Sequence, residues 1–163
     1  MGIFKSTGVK ILVVDDEPSV VDVFSQYLTG AGYRVQSAAN GKEALDVFKK
    51  DQFQLVITDI EMPEIDGMAL IDRIKAVNKD VVVIVVTGYG TIERAVEAIK
   101  KGAYDFLEKP LSFKALDMVV NRALERYFIY KNLRMFRTLF ILMVTVLPVV
   151  LLTGVVLGHF LGK

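Results

Sequence analysis

The chain has 163 residues, which is enough for one domain with a full core and leaves little room for a second compact one. It contains no cysteine and one histidine, so disulfide scaffolds, thiolate metal sites and imidazole-rich metal sites are excluded. All 19 acidic residues and 15 of the 20 basic residues lie at or before Glu125, so residues 1–125 have a net charge of −4. This charge predicts a mildly acidic domain without an obvious nucleic-acid-binding face.

Short apolar runs alternate with amphipathic stretches between residues 9 and 107. Five runs are typical of strands, and they read VKILVVDD, YRVQSA, FQLVITD, DVVVIVVTG and AYDFLEKP. The first intervening stretch has helical spacing of its apolar residues, which are Val20, Val23, Phe24, Tyr27 and Leu28. The second begins with an Asn40 cap and is expected to bury Ala44, Leu45, Val47 and Phe48. Five strand–helix pairs with unbroken apolar strands predict a parallel sheet covered by helices on both faces.

The last helix is expected to start near Ser112, and it contains no glycine or proline before Pro148. Its first part is expected to dock on the sheet through Leu116, Val119, Val120, Ala123 and Leu124. Because no breaker follows, the sequence predicts that the helix continues beyond the domain.

Residues 138–161 are 24 consecutive residues without a formal charge, with His159 taken as neutral. A helix of this length spans roughly 36 Å, against a hydrocarbon core of roughly 30 Å. The segment therefore predicts a transmembrane helix. Lys131, Arg134 and Arg137 precede it in a juxtamembrane segment, residues 127–137, and only Lys163 follows it. The positive-inside rule then keeps the N-terminal domain in the cytoplasm, with lipid phosphates as partners of the basic cluster.

Three glycines, Gly154, Gly158 and Gly162, recur every four residues in the predicted span. This spacing lets two membrane helices approach closely and would support a homodimer. Glycine is also frequent in membrane helices generally, so the sequence leaves both readings open.

Chemistry-bearing residues stand at the ends of four predicted strands. Asp15 and Asp16 follow the first strand, Asp59 the third, Thr87 the fourth and Lys109 the fifth. Because ligands of an open parallel sheet bind at the carboxyl ends of its strands, we expect these side chains to converge on one pocket.

Three carboxylates with one lysine remain net negative and favour a cation. Oxygen ligands without nitrogen or sulfur favour a hard ion such as Mg²⁺, which often shares its coordination with phosphate. A carboxylate beside Mg²⁺ and lysine can act as a nucleophile towards a phosphoryl group, and Asp59 is the most central candidate.

Four stretches, in this order and spacing, carry a resemblance to a known family; they read ILVVDDEP, LVITDIEMPEIDG, VIVVTGYG and GAYDFLEKP. The chain resembles the receiver domain of two-component response regulators over residues 9–126, after an N-terminal tail at residues 1–8. The resemblance implies a flavodoxin-like α/β fold, a doubly wound parallel sheet of order 2-1-3-4-5. It also implies that a bacterial sensor histidine kinase donates the phosphoryl group.

The resemblance implies a role for each matching residue. Asp59 would be the phosphoacceptor, Asp16 would bind Mg²⁺ directly, and Asp15 would assist through water. Glu61 would offer its backbone carbonyl to the metal, and Lys109, joined to Pro110 by a cis bond, would pair with the phosphoryl oxygens. These roles make the chain a substrate of phosphoryl transfer that catalyses only its own modification and slow loss of phosphate, rather than a turnover enzyme.

The resemblance also implies a switch. Thr87 would move towards the phosphoryl group, and Phe106 would fill the space that Thr87 leaves. Phe106 replaces the tyrosine that is frequent at this position in the family. Glu61 and Tyr89 lie where side chains control the access of water, so the lifetime of the phosphorylated form stays open.

The basic cluster and the uncharged segment come next after the predicted receiver, so we expect no output domain. We therefore expect a switch tethered to the cytoplasmic face of a bacterial inner membrane, acting on an unidentified protein partner and without nucleic-acid binding. One alternative keeps the receiver as a phosphate sink or scaffold. An aspartyl-phosphate phosphatase is disfavoured because DIEMP lacks a second aspartate two residues after Asp59, and a flavodoxin-like electron carrier because DDEP would repel the cofactor's phosphate.

Overall fold

The structure is a computed structural model that describes the backbone of residues 8–161 and the side chains of residues 8–148. The chain divides into two compact units, Met1–Tyr127 and Phe128–Lys163. The strands are β1 (Lys10–Val14), β2 (Arg34–Ala38), β3 (Leu55–Thr58), β4 (Val82–Thr87) and β5 (Asp105–Glu108). The helices are α1 (Pro18–Gly30), α2 (Gly41–Lys50), α3 (Gly67–Val77), α4 (Ile92–Lys100) and α5 (Phe113–Leu161).

The five strands form one parallel sheet of order β2-β1-β3-β4-β5. The predicted flavodoxin-like fold and strand order are therefore confirmed. The order reverses between β1 and β3, because the chain first adds β2 on one side of β1 and then places β3 on the other. The carboxyl ends of these two strands lie next to each other at the reversal point.

Both faces of the central strands are buried, since successive side chains of a strand point to opposite faces. One set of alternating residues packs with α2, α3 and α4, and it comprises Leu12, Val14, Val56, Val83 and Val85. The alternate residues are equally buried, and they include Ile11, Val13, Leu55, Ile57 and Ile84. The edge strands β2 and β5 are mostly half-buried or exposed, so the unbroken burial expected for all five strands holds only for β1, β3 and β4.

Local signals set the starts of three helices. The side chains of Asn40, Asp66 and Thr91 accept hydrogen bonds from backbone N–H groups in the first turns of α2, α3 and α4. These bonds satisfy donors that have no partner within the helix. The predicted Asn40 cap is thus confirmed.

The predicted buried faces are confirmed with two corrections. All five docking residues of α5, from Leu116 to Leu124, are buried. In α1, Phe24 and Leu28 are buried, but Val23 is 48% exposed because it lies at the edge of the apolar stripe. Val47 of α2 is only partly buried against the core.

In the second unit, α5 continues through Pro148 and ends at Leu161. Its side chains are largely exposed between residues 129 and 148. Within the part of the chain that the structure describes, no helix is both long enough and apolar enough to cross a bilayer. The transmembrane helix predicted at residues 138–161 is not supported by these residues, and the side chains of 149–163, including the glycine pattern at 154, 158 and 162, lie outside the described ones.

Candidate functional site

Three carboxylates gather at the carboxyl ends of β1 and β3. Asp15 and Asp16 follow β1 directly, Asp59 follows β3 directly, and one carboxylate oxygen of each lies within 4.8 Å of the others. Asp15 and Asp59 are buried, with 4% and 8% of their surface exposed, whereas Asp16 is exposed. The convergence expected from the strand-end positions is present in the structure.

Lys109 joins the two buried carboxylates. Its Nζ lies 2.6 Å from Asp15 Oδ2 and 3.0 Å from Asp59 Oδ2. The position of Lys109 is fixed by the sheet, because its backbone N–H donates to the Thr87 carbonyl at the end of β4. The following peptide bond, Lys109–Pro110, is cis, as the resemblance implied.

The electrostatics of this cluster are set by burial and by the single ammonium group. Burial raises the pKa of Asp15, and the hydrogen bond from Lys109 offsets this effect only in part. Burial alone would lower the pKa of Lys109, but its hydrogen bonds to Asp15 and Asp59 outweigh that effect and raise it. Lys109 therefore remains protonated at neutral pH and neutralises one of three negative charges.

The backbone around Asp59 orients its other oxygen. Asp59 Oδ1 accepts hydrogen bonds from the N–H groups of Ile60 and Glu61. The loop closes tightly, because the N–H of Gly67 donates to the Ile60 carbonyl at 2.8 Å. A Cβ at Gly67 would lie 2.1 Å from the Asp59 carbonyl oxygen, so only glycine fits here. Hydrophobic periodicity and the strand-end positions do not mark Gly67; its place directly after the Asp66 helix cap is the available sequence signal.

Thr87 and Phe106 lie on the neighbouring strands β4 and β5, Thr87 at the end of β4 and Phe106 opposite Val85, two positions earlier in the register. Thr87 is fully buried at the end of β4, and its hydroxyl accepts a long, 3.4 Å hydrogen bond from the Tyr89 N–H. Phe106 of β5 is partly buried against the core, close to Gly90, where an added Cβ would lie 3.3 Å from its ring. The structure thus places Thr87 at the carboxyl end of β4 and the Phe106 ring close to the loop that follows β4, and their roles stay predictions.

The side chain of Glu61 makes a long-range contact that no local sequence pattern predicts. Its side-chain Oε1 lies 2.6 Å from Arg94 Nη1 in the first turn of α4. The two residues are 33 positions apart, so no local pattern marks them as partners. The predicted role of the Glu61 backbone carbonyl as a metal ligand stays a prediction.

The donor set fits a hard divalent cation. Asp15, Asp16 and Asp59 supply oxygen ligands only, and after the contribution of Lys109 the cluster retains two negative charges. A cation such as Mg²⁺ would be held by these three side chains, would neutralise that charge and would leave coordination positions for water or phosphate. When bound, Mg²⁺ would supply charge neutralisation for the oxygens of a transferring phosphoryl group.

Comparison with known proteins agrees with this geometry. The family model described as "Response regulator receiver domain" matches residues 11–121. The transcriptional regulatory protein ZraR of Escherichia coli (strain K12) is 42% identical over 117 residues, which cover 72% of this chain and 26% of ZraR. The C4-dicarboxylate transport transcriptional regulatory protein DctD of Rhizobium meliloti (strain 1021) is 40% identical over 121 residues, 74% of this chain and 26% of DctD. The chain therefore spans about a quarter of the length of these curated relatives.

Solved structures lead to the same family. A response regulator receiver domain protein from Clostridium thermocellum is 33% identical, with a TM-score of 0.71 over 75% of this chain and 98% of that one. The beryllofluoride-activated NtrC4 receiver domain dimer is 43% identical, with a TM-score of 0.70 over 72% of this chain and 98% of that one. From the family match, the relatives and the site geometry together, we conclude that this chain belongs to the response regulator receiver domain family.

Proposed function

We propose that this protein is a phosphorylation-dependent signalling switch in which Asp59 accepts a phosphoryl group from a sensor histidine kinase in the presence of Mg²⁺. The observation that carries the proposal is the contact of Lys109 Nζ with both Asp15 Oδ2 and Asp59 Oδ2, with Asp16 beside them. Membership of the receiver family supports it. The phosphodonor of this reaction would be the phosphohistidine of the kinase.

The chain's own residues can perform the transfer. An Asp59 carboxylate oxygen attacks the phosphorus, an O–P bond forms, and the P–N bond to the donor histidine breaks with its electron pair going to the imidazole nitrogen. The amide N–H groups of Ile60 and Glu61 hold the other Asp59 oxygen and orient the nucleophile. Because the Lys109 ammonium group already contacts Asp59, it is positioned to bind the oxygens of the phosphoryl group that Asp59 receives.

The modification would bias the fold through Thr87 and Phe106. A phosphoryl group adds between about −1.5 and −2 charges and three acceptor oxygens. Among the described residues, the hydrogen bond that the Thr87 hydroxyl accepts from the Tyr89 N–H is long, at 3.4 Å, so its loss would cost little if Thr87 shifted towards these oxygens. Movement of Thr87 would open space for the Phe106 ring and alter the surface formed by α4 and β5.

Intact mass spectrometry after incubation with acetyl phosphate tests the proposal. We expect a phosphoryl adduct on the wild type with Mg²⁺, none when a chelator removes the cation, and none on Asp59→Asn. Asp46→Asn, an exposed acidic residue of α2, is the matched control and should be modified like the wild type. An unmodified wild type under saturating donor and Mg²⁺ would refute the proposal, and continuous turnover of phosphate esters would support a phosphatase instead.

A membrane tether is the second part of the proposal, and it rests on the sequence. Residues 138–161 carry no formal charge, and Lys131, Arg134 and Arg137 precede them. This arrangement would anchor a single-pass protein in a bacterial inner membrane with the receiver domain in the cytoplasm. Extraction of native membranes with alkaline carbonate tests it, because an integral protein stays in the pellet. Release of the chain into the supernatant would refute the tether.

Self-association through Gly154, Gly158 and Gly162 is a further proposal that follows from the tether. A Gly158→Ile variant should lower crosslinking between chains in membranes, with Val155→Ile as the control. Equal crosslinking of both variants would exclude this contact.

The output of the switch would be a protein partner that distinguishes the two states. The alternative, a phosphate sink or scaffold, takes phosphoryl groups without a state-dependent partner. Pull-downs with wild type and Asp59→Asn under phosphorylating conditions separate them. A partner retained only by the phosphorylated wild type supports the switch, and a partner retained equally by both supports the scaffold.

A further inference from the structure

The ion pair between Glu61 and Arg94 connects the loop after β3 to the first turn of α4. Its two charged atoms are 2.6 Å apart, and both side chains are about 40% exposed. Each end is also tied to a functional element by its backbone. The Glu61 N–H donates to Asp59 Oδ1, and the Arg94 N–H donates to the side chain of Thr91, which caps α4.

This pair matters because of the charge around Asp59. The three carboxylates and Lys109 carry a net charge of −2 before any cation binds. Glu61 is two residues from Asp59, a reach of about 7 Å along an extended chain, so an unpaired Glu61 would add a further negative charge at the site. Arg94 cancels that charge through its contact with Glu61.

An anionic phosphodonor and a divalent cation respond oppositely to charge at this position. Negative charge attracts Mg²⁺ but repels the donor's phosphoryl oxygens. The phosphodonor and the cation of the proposed reaction therefore make conflicting demands on the charge near Asp59, and the pairing of Glu61 with Arg94 affects both.

We propose that Arg94 is a positioning residue for phosphoryl transfer, which fixes the Glu61 side chain against α4 and cancels its charge so that an anionic phosphodonor can approach Asp59. Arg94 acts through Glu61 and is not a ligand of the metal. This inference rests on the proposed function, and it goes further by assigning a role to a residue of α4.

Single variants at the two positions should have opposite effects. Arg94→Met leaves Glu61 unpaired, and we expect Mg²⁺ affinity to rise and the phosphorylation rate at saturating Mg²⁺ to fall, each by about threefold to fivefold. Glu61→Gln leaves the Arg94 charge uncompensated, and we expect weaker Mg²⁺ binding and faster phosphorylation. Arg94→Lys, which keeps the charge, should restore most of the wild-type rate.

The control variant is Lys101→Met. Lys101 follows the last residue of the same helix and pairs with Asp72 of α3. It lies about 14 Å from the start of the nine-residue α4, given a rise of 1.5 Å per residue. The substitution removes one positive charge and one ion pair, as Arg94→Met does, but not beside Asp59.

The experiment measures Mg²⁺ binding by calorimetry and acetyl phosphate transfer by intact mass on the full chain. Opposite shifts in Arg94→Met and Glu61→Gln, with Lys101→Met like the wild type, support the proposal. Equal rates in Arg94→Met and Lys101→Met, or a parallel loss of Mg²⁺ binding and transfer in both single variants, overturn it. Absence of phosphorylation in the wild type would instead refute the proposed function.

Discussion

The bodies of the central strands and their carboxyl ends are both buried, but they differ in chemistry. Apart from Lys10 at the start of β1 and Thr58 at the end of β3, the side chains of the bodies of β1, β3 and β4 are apolar and almost inaccessible. The same chain segments then continue into Asp15 and Asp59, or end in Thr87, and these polar groups are 0–8% exposed. Burial of apolar groups drives folding, whereas burial of carboxylates opposes it unless the charges are paired. The comparison separates the part of the sheet that stabilises the fold from the part that carries the chemistry.

The largest expected loss of stability comes from a strand body. Ile84 of β4 is fully buried, and Ile84→Ala should lower the free energy of unfolding by about 3 to 4 kcal/mol, because it removes apolar contacts and leaves a cavity. Chemical denaturation measures the loss. Val23→Ala, at a residue that is 48% exposed, is the control and should cost under about 1 kcal/mol. Phosphorylation of the folded Ile84→Ala fraction should persist, and its disappearance would show that the strand body and the strand end are not separable.

A substitution in the loop that carries Asp59 should affect both stability and chemistry. Gly67→Ala would place Cβ 2.1 Å from the Asp59 carbonyl oxygen, so the backbone of Asp59 must move. We expect a loss of about 2 kcal/mol in the free energy of unfolding and slower phosphorylation in the folded protein. Gly30→Ala is the control, since an added Cβ meets nothing within 4 Å there. Equal phosphorylation rates in the two variants would contradict a role of Gly67 in positioning Asp59.

Removal of the Lys109 ammonium group should lower stability, and Mg²⁺ should reverse part of this loss. Lys109→Met leaves Asp15 and Asp59 without their shared partner, and we expect a loss of about 1 to 2 kcal/mol in the free energy of unfolding without Mg²⁺. Saturating Mg²⁺ should recover part of the loss, because a bound cation stabilises the folded state. Thermal unfolding with and without Mg²⁺ measures both effects, and Lys114→Met, on the exposed start of α5, is the control. A loss of the same size in both conditions would show that Lys109 acts only by packing.

Both parts of the sheet could largely be predicted from the sequence. The strands followed from hydrophobic periodicity, because apolar burial leaves a pattern at every second or third residue, and the order of the sheet followed from the family resemblance. The positions of Asp15, Asp59 and Lys109 also followed, since parallel strands bring their carboxyl ends to one edge. The exposure of Val23 did not, because an amphipathic pattern marks a face but not where its edge meets solvent.

Long-range polar contacts were not predictable from local pattern. Glu61 and Arg94 come together because the loop after β3 approaches the first turn of α4, and nothing near either residue marks the other as its partner. The close packing of Gly67 against Asp59 likewise depends on the path of the whole loop. The described residues do not support the transmembrane helix predicted from the uncharged run at 138–161. Extraction of membranes with alkaline carbonate tests that prediction.

The smallest expected effect concerns the backbone of the loop between β3 and α3. Glu64 has φ of 64°, a left-handed conformation that costs an L-residue with a side chain about 1 kcal/mol or more. Its ion pair with Lys42 spans 3.7 Å between exposed side chains and contributes little. Glu64→Gly should therefore raise the free energy of unfolding by about 0.5 to 1 kcal/mol, because relief of strain exceeds the entropy that glycine adds to the unfolded chain.

Glu64→Ala separates the two contributions, since it removes the contact with Lys42 but keeps the strained backbone. We expect denaturation midpoints in the order Glu64→Gly, then wild type, with Glu64→Ala equal to the wild type or slightly below it. A lower midpoint for Glu64→Gly than for Glu64→Ala would show that the entropy of glycine in the unfolded chain outweighs the strain. In that case the left-handed residue would be a tolerated feature of the loop, and the stability of the strand ends would depend on charge and close packing alone.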